Sequence, residues 1–484
     1  MFTHKSKGFV SYGSVRESYF KQRSLRGRAG GLLLWGLGVG AVISGDFYGW
    51  NYGLAAGGFW GLAIATFLMA IMYLCMVYSL AELSAALPHA GGLYSFTRHA
   101  FGPFWGFICG IAVTIEYVLA TAALASSMTN YIHPVFPSIP GFLVWLLAYL
   151  IFVAIAIHSL ELTLNVSLFL AVLAIALLAI FYVNMLVSGI FNPELLFNVP
   201  ADLGQSETWL PKGWQGVFAA MPYAIWFYLA IEILPLASEE TYDVPKNMPT
   251  GLISGMFTLI VLSIFTLVLN SGVGDGAAAI GQSNVPFGDG LEAYFGKGAT
   301  STLVTVFALT LGLAASLPTQ IYGYGRIVFS LSRAGYLPHW ISVTSRSYTP
   351  YRALVLGTAV GLLCVILIDA GSNAVDAVIL NMAVFGALIS YVLAMLSYIK
   401  LKLSHPDLVR PYESPLGIWG ALIGTALAIF ALMACVAVPA YRSGIWGVAI
   451  VLVMATIYFF FYSRHQLVAQ APEEAAALRM RDEG

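Results

Sequence analysis

The stretch GLLLWGLGVGAVISGDFYGWNYGL, residues 31–54, sets the reading of the fold. It is long and apolar enough to cross a bilayer, which takes about 20 residues. Yet Gly36, Gly38, Gly40, Gly45 and Gly49 crowd its middle, with Asp46 among them. Glycine in a helix costs roughly 1 kcal/mol against alanine. It also serves as a packing surface between membrane helices. The stretch alone therefore leaves a packed helix and a broken helix both open.

A second stretch shifts the balance. In WQGVFAAMPYAIWFYLAIEILPLASEE, residues 214–240, Pro222 and Pro235 bracket an aromatic cluster and Glu232. Each proline removes a helix hydrogen bond and favours a kink or break. Counting apolar runs along the whole chain gives twelve spans: 30–53, 57–83, 101–132, 141–158, 164–189, 215–237, 250–272, 300–328, 353–370, 377–401, 417–439 and 444–463. The runs are continuous rather than alternating, so they are helices and not barrel strands. The interrupted spans are numbers 1 and 6, the first members of two five-span halves. Interrupted segments at matching positions of two repeats point to the central site of a transporter. The expected architecture is an all-α polytopic membrane protein of 12 transmembrane helices, a five-plus-five inverted repeat with broken helices 1 and 6. Its parts are an N-terminal segment (1–29), the repeats 30–189 and 215–401, two further spans (417–463) and a tail (464–484).

Composition agrees. Of 484 residues, 59% are hydrophobic and only 9% charged, against about 25% charged in a soluble domain. Net charge is −1, so no basic field exists to attract nucleic acid. Residues 1–29 carry no secretory signal pattern, so the first span is expected to double as insertion signal. Cys75, Cys109, Cys364 and Cys435 lie inside apolar runs, as packed thiols rather than disulfides or metal ligands. No HExxH, GxSxG or phosphate-binding loop occurs, so neither an enzyme, a cofactor nor a metal is expected. A channel would show a continuous polar stripe, and a sensor a soluble signalling domain; neither is visible.

Basic residues orient the chain. With the N-terminus inside, 19 of the 22 Lys and Arg fall on the cytoplasmic side, leaving Lys212, Lys297 and Arg442 outside. The positive-inside rule then places both termini in the cytoplasm.

Of 23 acidic residues, only Asp46, Glu116 and Glu232 sit well inside apolar runs, without a basic neighbour. A carboxylate at mid-membrane marks a functional site by default, although a single one can be protonated and merely bond a neighbouring helix. Three without a cation argue for binding something positive: an organic ammonium, a sodium ion or a proton. Phe47, Tyr48, Trp50, Tyr117, Tyr223, Trp226, Phe227 and Tyr228 lie close by in sequence. Aromatic faces attract a desolvated ammonium by about 2 kcal/mol, and such rings also form ordinary interfacial belts.

These residues resemble the amino acid–polyamine–organocation superfamily of secondary transporters, and within it the bacterial ethanolamine permeases. The superfamily's first-helix pattern, G-x-(I/V)-(I/M)-G-S-G, is similar to Gly40, Ala41, Val42, Ile43, Ser44, Gly45 and Asp46. The sixth-helix pattern, an aromatic pair followed by G-x-E, resembles Trp226, Phe227, Ala230 and Glu232. Further likeness lies in YSLAELSAALPHAGGLYSF (78–96), ASEETYDVPKNMP (237–249) and GRIVFSLSRAGYLP (325–338).

The resemblance implies alternating access around a site between broken helices 1 and 6, in a bacterial cytoplasmic membrane. In relatives that carry amino acids, the glycine-rich break donates backbone N–H groups to the substrate carboxylate. Here the last glycine of the motif is Asp46, which would repel a carboxylate and accept from an ammonium or hydroxyl. That departure suits ethanolamine as cargo; amino acids, polyamines and choline are the alternatives. By the same resemblance, Ile43, Ser44, Gly45, Asp46, Glu116, Tyr117, Trp226, Phe227 and Gln320 line the substrate site. Glu116 is the first choice as ammonium partner and Asp46 the second, while Glu232 serves gating and carries a proton. Span 5 lacks the lysine of some proton-coupled relatives. Either a carboxylate carries a coupling proton, or the protein is a uniporter or exchanger. Surface facing lipid and surface facing a second copy read alike, which leaves the oligomeric state open.

Overall fold

The computed structural model describes residues 5–7, 9–133, 136–296, 298–371 and 373–482. Lys297, expected on the outer side, lies outside the described residues. Ten helices of the described chain are long and apolar enough to cross a membrane. Two further helices complete the twelve. Span 1 begins as the short helix Gly31–Val42, and span 8 is Ala299–Arg333.

Helix ends follow local chemistry. Span 3, Pro103–Ile132, starts with proline in its first turn, where a missing N–H costs nothing. Span 4, Gly141–His158, ends where the Ser159 side chain caps span 5, Leu160–Val187, by accepting from the N–H of Leu162. The boundary between spans 1 and 2 is a backbone event. A helix runs from Tyr52 to Ala86, but Gly58 interrupts it at φ 72°, a left-handed value suited to glycine. Spans 9 to 12 are Tyr351–Ala370, Asn373–Ser404, Gly417–Ala437 and Pro439–Phe461. Spans 3 and 10 pack along each other, as do spans 3 and 8, and span 2 lies against the first half of span 6. Large apolar side chains such as Leu150, Phe169, Leu363, Trp419 and Ile450 point outward, as lipid-facing surface requires.

Both predicted interruptions are present. After Val42 the chain makes one short turn, Ser44–Phe47, and then extends at Tyr48 (φ −159°, ψ 149°). Span 6 is a helix over Gly213–Ala224, tightens to a 3₁₀ turn at Ile225–Phe227, and unwinds. Ala230 takes a left-handed conformation (φ 83°) before the 3₁₀ segment Ile231–Glu240 resumes. Span 7, Val244–Phe265, continues through a π-helical turn, Thr266–Asn270; such turns often accompany functional sites.

The termini are more structured than a polar tail suggests. Strand β1 (Lys5–Lys7) pairs antiparallel with β2 (Val10–Gly13), and β2 pairs parallel with β3 (Leu467–Val468), with Tyr12 opposite Leu467. The helix Pro472–Asp482 follows. Its Glu473 and Glu474 are fully buried against the arginine-rich end of the bundle. Polar composition hid this, because each acid is matched there by an arginine from a distant segment.

Candidate functional site

The unwound middles of spans 1 and 6 lie against each other. Gly45 packs directly on the carbonyl oxygen of Trp226, and the Trp226 ring covers Gly49. Trp50 stacks on Phe227 with ring centroids 5.3 Å apart. Breaking a helix frees carbonyls that must find donors when buried. Span 8 supplies them. Ser316 Oγ donates to the Gly40 carbonyl at 2.7 Å, and Gln320 Nε2 donates to the Ala41 carbonyl at 3.3 Å. The N–H of Ser44 in turn donates to Ser316 Oγ at 3.3 Å. Ile43 closes the first helix by bonding back to Val39, and is fully buried.

The structure sorts the three intramembrane carboxylates into two clusters. Asp46 accepts from Thr266 Oγ1 of the π-helical turn at 2.9 Å. Thr266 is itself bonded to the Tyr182 hydroxyl of span 5 at 2.6 Å. The second carboxylate oxygen of Asp46 is buried with no hydrogen-bond partner, as is Gln320 Oε1. Gly45, Trp226, Phe227 and Gln320 share the region of the break with Asp46.

Glu116, Tyr117 and Glu232 form the other cluster. Glu232 Oε1 accepts from Tyr117 at 3.2 Å, and Glu232 Oε2 accepts from Tyr391 of span 10 at 2.8 Å. The same Tyr391 hydroxyl lies 3.2 Å from Glu116 Oε1. Glu232 thus ties span 6 to spans 3 and 10 rather than to span 1. Tyr228 stands between the clusters, bonded to Ser263 at 2.8 Å and ring-packed on Tyr73.

All three carboxylates are without solvent exposure. Thr266, Tyr117 and Tyr391 supply hydroxyls to them, Glu116 and Glu232 also hydrogen-bond each other, and none joins an ion pair among the described residues. A buried group of carboxyls and neutral hydroxyls can hold a proton or a cation.

The site is closed at both ends. On one side Phe287, from the helix Pro286–Phe295, packs on Phe47 and Phe181, and Asn51 donates to the carbonyls of Ile280 and Ser283. On the arginine-rich side, Arg326 of span 8 holds Glu240 at the end of span 6 at 2.8 Å. Arg333 bridges Glu239 and Glu473, and Arg98 grips Glu474 at 2.6 Å.

Sequence reasoning missed Tyr391, Tyr182 and Thr266. Each is one hydroxyl in an apolar run, and the only local signal was a polar atom on a buried helix.

The family profile for amino acid permeases matches residues 31–460. The branched-chain amino acid permease BcaP of Bacillus subtilis is 26% identical, over 93% of this chain and 96% of its own length. The methylthioribose transporter of the same organism is 24% identical, over 89% and 92%. An uncharacterized transporter of Rhizobium meliloti is 30% identical, over 68% and 70%.

Proposed function

The chain belongs to the amino acid permease family, and from that premise we propose that it imports a small organic cation, with ethanolamine as the favoured cargo. Asp46 carries this reading. It stands where the superfamily's first-helix motif ends in glycine, and it keeps one buried carboxylate oxygen without a partner. An ammonium group satisfies that oxygen; a substrate carboxylate would face like charge. Glu116, the other candidate partner, is bound up with Tyr391 and Glu232, so Asp46 becomes the first choice.

The two five-span repeats frame the site, and both termini lie in the cytoplasm of a bacterial cell. Alternating access then exchanges the Phe47–Phe287 closure for the Arg326–Glu240 closure. A membrane potential of 100 mV favours entry of one positive charge by about 2.3 kcal/mol. Glu116 and Glu232 are free to serve a coupling proton. The protein acts without cofactor, metal or bound nucleic acid.

A second reading is a small amino acid as cargo. It is favoured by a relative, matched over 93% of the chain, that is named for branched-chain amino acids.

Uptake of radiolabelled ethanolamine into proteoliposomes, competed with choline and with branched-chain amino acids, separates the two. Saturable ethanolamine uptake that resists amino acids is expected. Uptake of an amino acid with no saturable ethanolamine signal would establish the second reading instead.

A further inference from the structure

Arginines buried at the arginine-rich end have acceptors. Arg23 bonds Ser342 and the carbonyls of Tyr19 and His339, Arg98 holds Glu474, Arg326 holds Glu240, and Arg333 holds Glu239 and Glu473. Arg26 and Arg346 differ: neither guanidinium has a hydrogen bond or an ion pair among the described residues. Both line one cavity of about 200 Å³. It lies where the segment before span 1 crosses the end of span 6, next to the start of span 5 and the loop from span 8 to span 9. The N–H groups of Arg28 and Ala29 donate to the Glu240 carbonyl at 2.7 and 2.8 Å, which fixes that crossing.

The charge around this cavity does not cancel. Glu161 and Glu240 are the acids on its wall, and both are spent. Glu161 pairs with Arg28, and Glu240 accepts from Arg326 and Tyr322. Arg26 and Arg346 remain as uncompensated positive charges. The other polar groups on the wall can donate. Ser159 accepts from the Leu162 N–H at 3.0 Å and keeps its own hydroxyl proton to give. Ser347 and Tyr348 add two hydroxyls. Leu160 and Glu161 open span 5, where a helix leaves N–H groups without internal acceptors and carries the positive end of its dipole. Tyr348 takes a left-handed backbone, φ 61°, with Arg26 5.9 Å from its ring centroid. That conformation is rare for a bulky residue and frequent at ligand clamps.

We propose that this cavity binds a phosphate group, held by Arg26 and Arg346 and by the hydroxyls of Ser159 and Ser347. Guanidinium matches phosphate through paired, planar N–H donors. The carrier that the surroundings favour is an anionic phospholipid. Leu162, next to Glu161, and Leu32, in the first turn of span 1, are exposed apolar side chains close in the chain to the lining residues. Acyl chains therefore have a surface beside the headgroup. Basic pockets between membrane helices on the cytoplasmic side select such headgroups. A soluble phosphate presents the same group without the chains, and experiment separates the two sources.

The test uses the purified full chain in detergent and reads its melting temperature as phosphatidylglycerol or phosphatidylcholine is titrated in. The wild type should gain stability saturably with phosphatidylglycerol alone. In the double variant Arg26→Gln, Arg346→Gln the half-saturating concentration should rise at least about tenfold, since one charge-assisted hydrogen bond is worth about that much affinity. Before lipid is added, its melting temperature should match the wild type, because neither side chain has a hydrogen bond or ion pair to lose. Arg479→Gln, which removes an exposed arginine of the tail helix, should titrate like the wild type. Native mass spectrometry should show one phosphatidylglycerol adduct that the double variant loses. A further titration, with inorganic phosphate in place of lipid, tests the soluble source. A saturable shift there that the double variant loses, with none from phosphatidylglycerol, assigns the site to a free phosphate. Equal titrations of the wild type and the double variant with both probes, or no shift with either, overturn the site.

Discussion

A methyl group added to Gly45 would lie 1.9 Å from the carbonyl oxygen of Trp226. That distance is far inside contact, and the atom it meets is backbone, which cannot rotate away. Spans 1 and 6 are therefore held together at their breaks by the absence of a side chain. Gly45→Ala should separate the two broken segments or block their assembly. Overpacking of this kind costs about 1–3 kcal/mol. The expected outcome is a lower melting temperature in detergent and uptake reduced at least about tenfold, equivalent to 1.4 kcal/mol in the transport barrier. Wild-type uptake by Gly45→Ala would contradict the contact.

Asp46→Asn keeps size and the bond to Thr266 while removing the charge. Hydrogen bonds to charged groups are worth about 1.5–3 kcal/mol, so cation affinity should fall by roughly ten- to a hundredfold. The half-saturation concentration for ethanolamine counterflow measures it. A change under about twofold would shift the ammonium site away from Asp46.

Ala230 holds a left-handed backbone, φ 83°, in the unwound part of span 6. That conformation costs an L-residue with a Cβ about 1–2 kcal/mol. Glycine adopts it freely but loses about 0.5–1 kcal/mol of backbone entropy on folding. Ala230→Gly should therefore leave the melting temperature unchanged or raise it slightly. Ala230→Val should lower it, because a β-branched residue fits this region worst.

The ion pairs at the arginine-rich end are not equivalent. Arg98 donates through Nε and Nη2 to Glu474, which is fully buried and also accepts from Tyr336. Removing one partner of a buried pair costs about 3–5 kcal/mol. Arg28 and Glu161 pair at an exposed position, where a pair is worth about 0–1 kcal/mol. Thermal denaturation should show Glu474→Ala strongly destabilised and Glu161→Ala near wild type. Equal effects would mean that the tail is not anchored as the structure has it.

His99, on the short helix Leu93–Phe101 outside the spans, donates from Nδ1 to the Ser95 carbonyl and stacks on His89. Its Nε2 is buried without a partner. Burial, with His89 adding to it, pushes this imidazole down from 6.5 to about 3. The unfolded chain therefore binds a proton that the folded chain refuses. Stability is complete above about pH 6.5 and drains away as the pH falls toward 3. His99→Asn should flatten that acid limb of a melting-temperature profile. A profile of unchanged slope would exclude His99 as the cause.

Local chemistry explains what could be read without coordinates. Apolar run length marks a membrane crossing, and glycine and proline disturb the helix in which they stand. The breaks in spans 1 and 6 were legible for that reason, as was the presence of Asp46 and Glu232 beside them. No comparable signal marked Tyr391, since a single tyrosine in an apolar run reads the same toward lipid, a neighbouring helix or a carboxylate. Its bond to Glu116 joins residues 275 apart in the chain. The burial of Glu474 depends on Arg98, 376 residues away. The sequence by itself determined the class of protein, its spans and the places where helices break. Only the tertiary structure decided that the three carboxylates divide into two sites. Which face of each helix meets which neighbour is set by packing across the whole bundle, and no local run of residues encodes it.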